Sequence, residues 1–253
     1  MAFVTLEVQG NVGIVTVNRP PVNAINAEVY QEMADTFRSI NGMDEVRVVI
    51  LRAEGKHFMA GNDLSELNDL NQSSILAYRD VVKCSVGAVY DCRVPVVAAV
   101  NGAALGAGLA YAASCDIIVA SEDAFFGIPE VKIGFISAAG FASLLVPGKM
   151  VNYMALTGSA LKAQEMLDKG AVHKVVPREK LMEAAMEVAE ELLANSPLIQ
   201  QYFKKALHIN SNARLGDQYD VEFGFSAQVL DSEDYKEAKE AFLEHRVPVY
   251  KGR

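Results

Sequence analysis

Glu130 stands in company that suits a proton carrier. It follows Phe125-Phe126-Gly127-Ile128-Pro129 and precedes Val131-Lys132-Ile133-Gly134-Phe135-Ile136. A carboxylate in apolar surroundings has its pKa raised by desolvation, which suits a general base or acid. The same residues also read as a loop glutamate facing solvent. A second stretch, residues 94 to 120, offers a different kind of group. Gly106, Ala107, Gly108, Ala110, Ala112 and Ala113 leave almost no side-chain volume at a strand-to-helix junction. Such a junction presents free backbone N–H groups with the positive end of the helix dipole behind them. A ligand oxygen gaining negative charge would be stabilised there. A tightly packed buried helix with no ligand is the other reading. Ala53 to Leu67 repeats the logic of strand, glycine-containing loop and helix start, with Asn62 or Asp63 near the helix N-terminus.

Competing chemistries have less behind them. Gly106-x-Gly108 begins like a dinucleotide fingerprint, but its sixth position is Tyr111 rather than glycine or alanine. His57, His173, His208 and His245 show no metal-ligand spacing, so no metal site is expected, and no Gly-x-Ser-x-Gly elbow occurs. Cys84, Cys92 and Cys115 are odd in number, widely spaced and set among apolar residues. They read as buried thiols in a reducing compartment. Lys plus Arg total 23 against 32 Asp plus Glu, a net charge of −9 that disfavours binding to nucleic acid or anionic membranes. No uninterrupted apolar run approaches the roughly 18 to 20 residues of a membrane span. Ala2 to Val8 already alternates like structure rather than a signal peptide, and Lys-Gly-Arg at the end is no targeting address, so a cytoplasmic protein is expected.

The elements that must position these groups follow from periodicity. Phe3 to Val8 and Val12 to Val17 alternate, with Gln9-Gly10-Asn11 between them, which predicts a hairpin. Asn18 to Asn23, with two prolines, reads as an extended loop. Asn26 is placed to cap a helix over Ala27 to Ile40. Val46 to Arg52, Pro95 to Val100 and Asp116 to Ala120 are apolar β-branched runs, the mark of strands buried on both faces. Ser73 to Tyr90 and Ala163 to Leu167 read as helices, the latter ending at Lys169-Gly170. Ala171 to Val176 reads as a strand. Beyond Pro177 the segments 178–196, 197–210, 213–230 and 233–245 are all helical in period. Strands alternating with helices and then helices alone predict an α/β core, residues 1–195, with a helical C-terminal module, 196–253.

Four segments, taken in order, resemble the crotonase superfamily, the enoyl-CoA hydratases and isomerases. Phe58-Met59-Ala60-Gly61-Asn62-Asp63-Leu64 is similar to the family's first oxyanion motif. Asn101 to Gly108, followed by Cys115-Asp116-Ile117-Ile118, is similar to the second. Phe126-Gly127-Ile128-Pro129-Glu130 resembles the segment carrying a catalytic glutamate, and Arg246 to Gly252 resembles the usual ending. The resemblance spans the chain.

It implies a spiral of ββα units with a helical trimerisation module, in a homotrimer or a hexamer made of two trimers. It implies an acyl-CoA substrate, with coenzyme A present as part of the thioester and no permanently bound cofactor. The N–H groups of Asn62 and Ala107 would hold the thioester oxygen as it becomes an enolate. Val22, Ala24 and the carbonyl of Ala60 would face the adenine, and Lys251 would reach a CoA phosphate, from a neighbouring subunit if need be. Tyr111, Ile136 and Ala138 would shape the acyl pocket. The departures bear on the reaction. Hydratases of the family resemble one another in having a second glutamate where this chain has Ala110. Dienoyl isomerases and dehalogenases have an aspartate where this chain has Ala138. A single glutamate suits an isomerase that moves a double bond from C3 to C2. A hydratase recruiting another acid such as Glu66, a different enolate reaction and a non-catalytic acyl-CoA binder are the alternatives.

Overall fold

A computed structural model describes residues 2–68, 74–210, 228 and 231–253. The chain opens with the antiparallel hairpin β1 (Val4–Gln9) and β2 (Val12–Val17), paired Val4 to Val17 through Gln9 to Val12. Helix α1 (Ala27–Ile40) begins where its cap predicts: the Asn26 side chain accepts the Val29 N–H at 3.0 Å. Strand β3 (Val48–Ala53), the short α2 (Leu64–Asn68) and the long α3 (Ile75–Tyr90) lead to the central strand β4 (Val96–Val100). A three-residue strand, β5 (Ala103–Leu105), separates β4 from α4 (Ala107–Ala113). Then follow β6 (Ile117–Ser121), β7 (Phe125–Gly127) and a 3-10 turn over Pro129–Ile133. Helices α5 (Ala139–Ala142) and α6 (Gly148–Thr157), strand β8 (Ala160–Lys162), α7 (Ala163–Asp168) and β9 (Lys174–Val176) close the core. The C-terminal part holds α8 (Leu181–Leu193), α9 (Pro197–Asn210) and α10 (Glu233–Glu244). The helix expected over 213–230 lies outside the described residues, apart from position 228.

The strands form two sheets. The large sheet runs β1-β2-β3-β4-β6-β9, parallel beyond the hairpin, and the small sheet runs β5-β7-β8. Strand β4 leads into β5, and β6 into β7, so these two turns of the spiral each contribute one strand to each sheet. Met59 joins the small sheet through a single-residue bridge to Ala104. This is the mixed α/β core that the strand and helix pattern predicted, wound as the spiral that the resemblance implied.

Burial on both faces explains the uninterrupted apolar strands. Val49, Leu51, Val96, Ala98 and Val100 face the larger core with α1 and α4. Their neighbours Val48, Ile50, Val97 and Ala99 face the opposite way, onto Leu181, Ala184, Ala185, Val188 and Ala189 of α8. Two expectations need correcting. Cys84 is exposed on α3, whereas Cys92 and Cys115 are buried; the inner face of that helix is taken by Val82, Val86 and Val89. Residues 139–162 also carry α5, α6 and β8, which no periodicity announced. The segments are short, and among them only the ten-residue α6 is long enough to show a helical stripe.

Candidate active site

The small residues of the α4 junction are required by what lies against them. Gly106 has φ +52°, and its N–H is bonded to the Gly127 carbonyl at 2.9 Å. A Cβ there would collide with the Glu130 carboxylate. A Cβ on Gly108 would penetrate the Met59 carbonyl. Absent side chains therefore let α4 sit directly on the 58–62 segment on one side and on Glu130 on the other. Ala107 is the first residue of α4, and its N–H has no partner among the described residues.

The second amide is presented by a different device. Met59 is laced to β5, its N–H donating to Ala103 O at 2.9 Å and its carbonyl accepting from Leu105 N–H at 3.1 Å. Gly61 follows with φ +103°, where an added Cβ would lie 3.2 Å from the Leu105 carbonyl. Ile25 N–H donates to Gly61 O and Asp63 N–H donates to Ile25 O, both at 2.8 Å. These parallel-bridge bonds flank Asn62 and turn its own N–H away from Ile25. That N–H too is unpartnered among the described residues. The residues preceding the two free amides, Gly61 and Gly106, thus meet across Leu105.

Glu130 lies in the 3-10 turn behind Pro129, is 5% exposed and rests against Gly106. Burial pushes its carboxyl up from the ordinary glutamate value, with a smaller opposing effect from its own backbone N–H. Its Oε2 has no hydrogen-bond partner among the described residues. A buried carboxylate oxygen without a donor is a poor anion and a good proton acceptor. Of the two sequence readings of Glu130, the apolar setting is the one found. Two nearby carboxylates are engaged elsewhere: Asp63 pairs with Arg19 at 2.6 Å, and Glu66 accepts the Ala27 N–H at 2.9 Å. Burial first, then Lys56 and Arg178, hold the His57 imidazole below its usual pKa.

The other expected site residues are dispersed. Ala60 N–H donates to the Val22 carbonyl at 3.2 Å, and Ile25 N–H, next after Ala24, donates to the Gly61 carbonyl at 2.8 Å, so the segments carrying Val22, Ala24 and Ala60 lie side by side. Asn23 braces this loop, accepting the Arg19 N–H and donating to the carbonyls of Glu54 and His57. Lys251 pairs instead with Glu233 at 2.7 Å and touches none of these residues within the described chain. Tyr111 is fully buried on α4 and hydrogen-bonded to Ser85 at 2.6 Å. Ala138 is buried at φ +62° at the start of α5. Ile136 departs from the expectation of an inward pocket residue. It is 98% exposed, because the backbone turns at Gly134 and Ala138 and leaves the intervening side chain outward.

Sequence reasoning missed Tyr30. It falls in the apolar stripe of α1 and reads as core, yet its hydroxyl donates to Asn62 Oδ1 at 2.5 Å. Only the partner reveals it. Among the described residues no helix is long and apolar enough to cross a membrane, and no group of three His, Cys, Asp or Glu side chains is arranged to hold a metal ion.

The chain is similar to known proteins over nearly its whole length. The family model described as enoyl-CoA hydratase/isomerase matches residues 7–253. A Mycobacterium tuberculosis protein named (7aS)-7a-methyl-1,5-dioxo-2,3,5,6,7,7a-hexahydro-1H-indene-carboxyl-CoA hydrolase is 37% identical, over 90% of this chain and 93% of its own. A short-chain-enoyl-CoA hydratase of Clostridium acetobutylicum is 36% identical, over 96% and 95%. The solved enoyl-CoA hydratase of Bacillus anthracis superposes with a TM-score of 0.94 at 28% identity, covering 99% of this chain and 100% of that one.

Proposed function

The chain belongs to the enoyl-CoA hydratase/isomerase family, and we propose that within it the protein converts a 3-enoyl-CoA to the 2-enoyl-CoA. The observation that carries this reading is the buried carboxylate of Glu130, its Oε2 unpartnered among the described residues, beside the Gly106–Ala107 junction, with alanine at 110. Glu130 removes a proton from C2 of the acyl chain. The electron pair passes into the thioester carbonyl, whose oxygen is held by the N–H groups of Asn62 and Ala107. Donors of this kind contribute roughly 2.7–4 kcal/mol each to the transition state. The resulting dienolate takes the proton back from Glu130 at C4, and the double bond ends between C2 and C3. One group that accepts and returns one proton is sufficient; no water enters. Hydration needs a second group to deliver or accept a proton, and Ala110 has none. Coenzyme A is bound as part of the substrate, its adenine against Val22, Ala24 and Ala60, with Lys251 available to a phosphate on a neighbouring subunit.

Incubating the enzyme with 3-enoyl-CoA and, separately, with 2-enoyl-CoA tests the assignment. Formation of 2-enoyl-CoA from the first with poor water addition to the second is expected. Efficient hydration by the unmodified enzyme would overturn it. In deuterated water, deuterium should appear at C4 wherever the abstracted proton exchanges before its return. Glu130→Gln should lower turnover by about 10² to 10⁴, the scale of a positioned acid–base group, and leave acyl-CoA binding intact.

A second reading is favoured by the 37% relative, whose name describes hydrolysis of a ring diketone carried on CoA. Here Glu130 would take a proton from water attacking a ring ketone, a C–C bond would break to leave a carboxylic acid with its electron pair entering the same thioester enolate, and that carbon would take the proton back from Glu130. A CoA ester carrying such a diketone separates the two: ring opening without enoyl isomerisation would select the hydrolase.

A further inference from the structure

Asn62 carries a side chain that its position in the backbone does not need. The cap of α2 is supplied by Asp63, whose Oδ1 accepts from the Ser65 N–H at 3.1 Å and from the Ser65 hydroxyl at 2.6 Å. The backbone on either side of Asn62 is fixed by Ile25. The Asn62 carboxamide oxygen takes its hydrogen bond from Tyr30. Tyr30 is fully buried and is itself held on three sides. Ser85 Oγ donates to the Tyr30 carbonyl at 2.6 Å, the Tyr78 ring meets the Tyr30 ring edge-on at 6.3 Å, and the Tyr111 ring lies tilted against it at 6.2 Å. Because the Ser85 proton goes to that carbonyl, the Tyr111 hydroxyl must donate to Ser85, which ties α4 into the same group. The cluster joins α1, α3 and α4 at the residue whose N–H faces the site.

An asparagine at such a turn has an alternative. Its free carboxamide bonds readily to backbone N–H groups within one or two residues, forming an Asx turn. Freed from Tyr30, the Asn62 carboxamide would compete with Asp63 for the start of α2 and rotate the peptide that presents the Asn62 N–H. Ala107 needs no such restraint, because helix α4 fixes its amide. The two donors are thus held by different means, one by a helix and one by a phenol.

We propose that Tyr30 is a positioning residue for the oxyanion-holding amide of Asn62, acting through its hydroxyl on the Asn62 side chain. The inference rests on the reading of Asn62 and Ala107 as the donors to the thioester oxygen. It assigns Tyr30 no contact with substrate.

The test uses Tyr30→Phe, which removes one buried oxygen, and Asn62→Ala, which removes the other end of the same bond. A saturated acyl-CoA labelled with ¹³C at the thioester carbonyl is bound to each protein, and the carbonyl stretch is read by difference infrared spectroscopy. Wild-type protein should lower the stretching frequency relative to free ligand; Tyr30→Phe should lose a large part of that shift, and Asn62→Ala, which has no carboxamide left to form an Asx turn, should lose less. Turnover should fall about tenfold to a hundredfold, as for small misplacements of a reacting group. Acyl-CoA affinity should change by less than about threefold, and the double variant should be no worse than either single one. A wild-type-like shift and turnover in Tyr30→Phe would overturn the positioning role and leave the oxyanion reading standing. Additive losses in the double variant would overturn it too, since Tyr30 would then act elsewhere. Absence of any shift in the wild-type protein would overturn both together.

Discussion

At the scale of single residues the decisive object is a carboxyl group in the wrong solvent. Glu130 is buried against Gly106 with one oxygen unpartnered, and burial raises its pKa. The native state therefore holds this proton to higher pH than the unfolded chain, whose glutamates titrate near ~4.3. Stability contributed by Glu130 is fully present below the unfolded value and is lost as pH rises through the higher folded value. Above that window Glu130 weakens the fold. Glu130→Gln should consequently melt at a higher temperature than the wild type at pH 7, with the advantage shrinking as pH falls through the raised value and gone below about pH 4. An equal or lower melting temperature at pH 7 would contradict this. The same shift moves the acid limb of the kcat/KM profile to higher pH than an ordinary glutamate would give, because the base must be ionised to act. Stability and activity thus oppose one another at one side chain.

At the scale of elements, the site is built by α4 lying unusually close to its neighbours. Gly108 lets the helix touch the Met59 carbonyl, and Gly106 lets its first turn touch Glu130. Gly108→Ala should push α4 off the 58–62 segment, destabilising the protein by about 1–3 kcal/mol, the usual range for overpacking. Turnover should fall with it, since Ala107 moves relative to Asn62. Gly87 on α3 provides the contrast: a Cβ there meets nothing within 4 Å. Gly87→Ala should stabilise by roughly 0.5–1 kcal/mol through helix propensity alone. Urea denaturation of the two variants checks both, and the opposite signs are the point of the comparison. Destabilisation by both would mean that helix α3 is strained for a reason the packing does not show.

At the scale of the whole molecule, α9 is fastened to the spiral by a buried cation. Lys204 is almost fully buried and donates to Asp116 Oδ2 at 2.7 Å and to the Val94 carbonyl at 3.2 Å. His208 lies 3.8 Å from the same carboxylate and stacks on Tyr90 at 3.7 Å. Burial pushes the Asp116 carboxyl up, but the His208 bond, the Lys204 charge and bond, and the Val96 N–H together hold it below its usual value. Its contribution to stability is present above the unfolded aspartate pKa, ~3.9, and is lost as pH falls through the depressed folded value. Lys204→Met removes the cation and should cost about 3 kcal/mol, at the low end for a broken buried pair because Asp116 retains some solvent. Acid unfolding of the variant should begin at higher pH, which circular dichroism along a pH titration would show; an unmoved midpoint would deny the fastening role. Apolar side chains of α6 and α9, Leu156, Phe203 and Leu207, remain exposed, as does Ile136. Together with the family resemblance they support a trimer. Light scattering should give three times 27.4 kDa or a multiple of it, and a stable, active monomer would exclude that assembly.

The large-scale order of this protein is written locally. Runs such as Val48-Val49-Ile50-Leu51 and Val96-Val97-Ala98-Ala99-Val100 can be satisfied only between two apolar layers, and they form the middle of the large sheet. Asn26 can be recognised as a cap from its own neighbours, and the crowding of small residues over 106–113 already implies something pressed against that helix. What presses there could not be read in the same way. Whether Glu130 faced solvent or a wall depended on where the chain returned after β7. Cys84 and Ile136 turned outward because side-chain direction follows from helix face and turn geometry rather than from apolar neighbours in sequence. Tyr30 obeyed the core periodicity of α1 in every respect except its hydroxyl, whose acceptor comes from a segment beyond β3. Periodicity reports which face of an element is buried, because that depends on residues three or four apart. Only the tertiary structure decides which polar atom meets which, because hydrogen bonds act over a few ångströms between segments that the sequence keeps far apart.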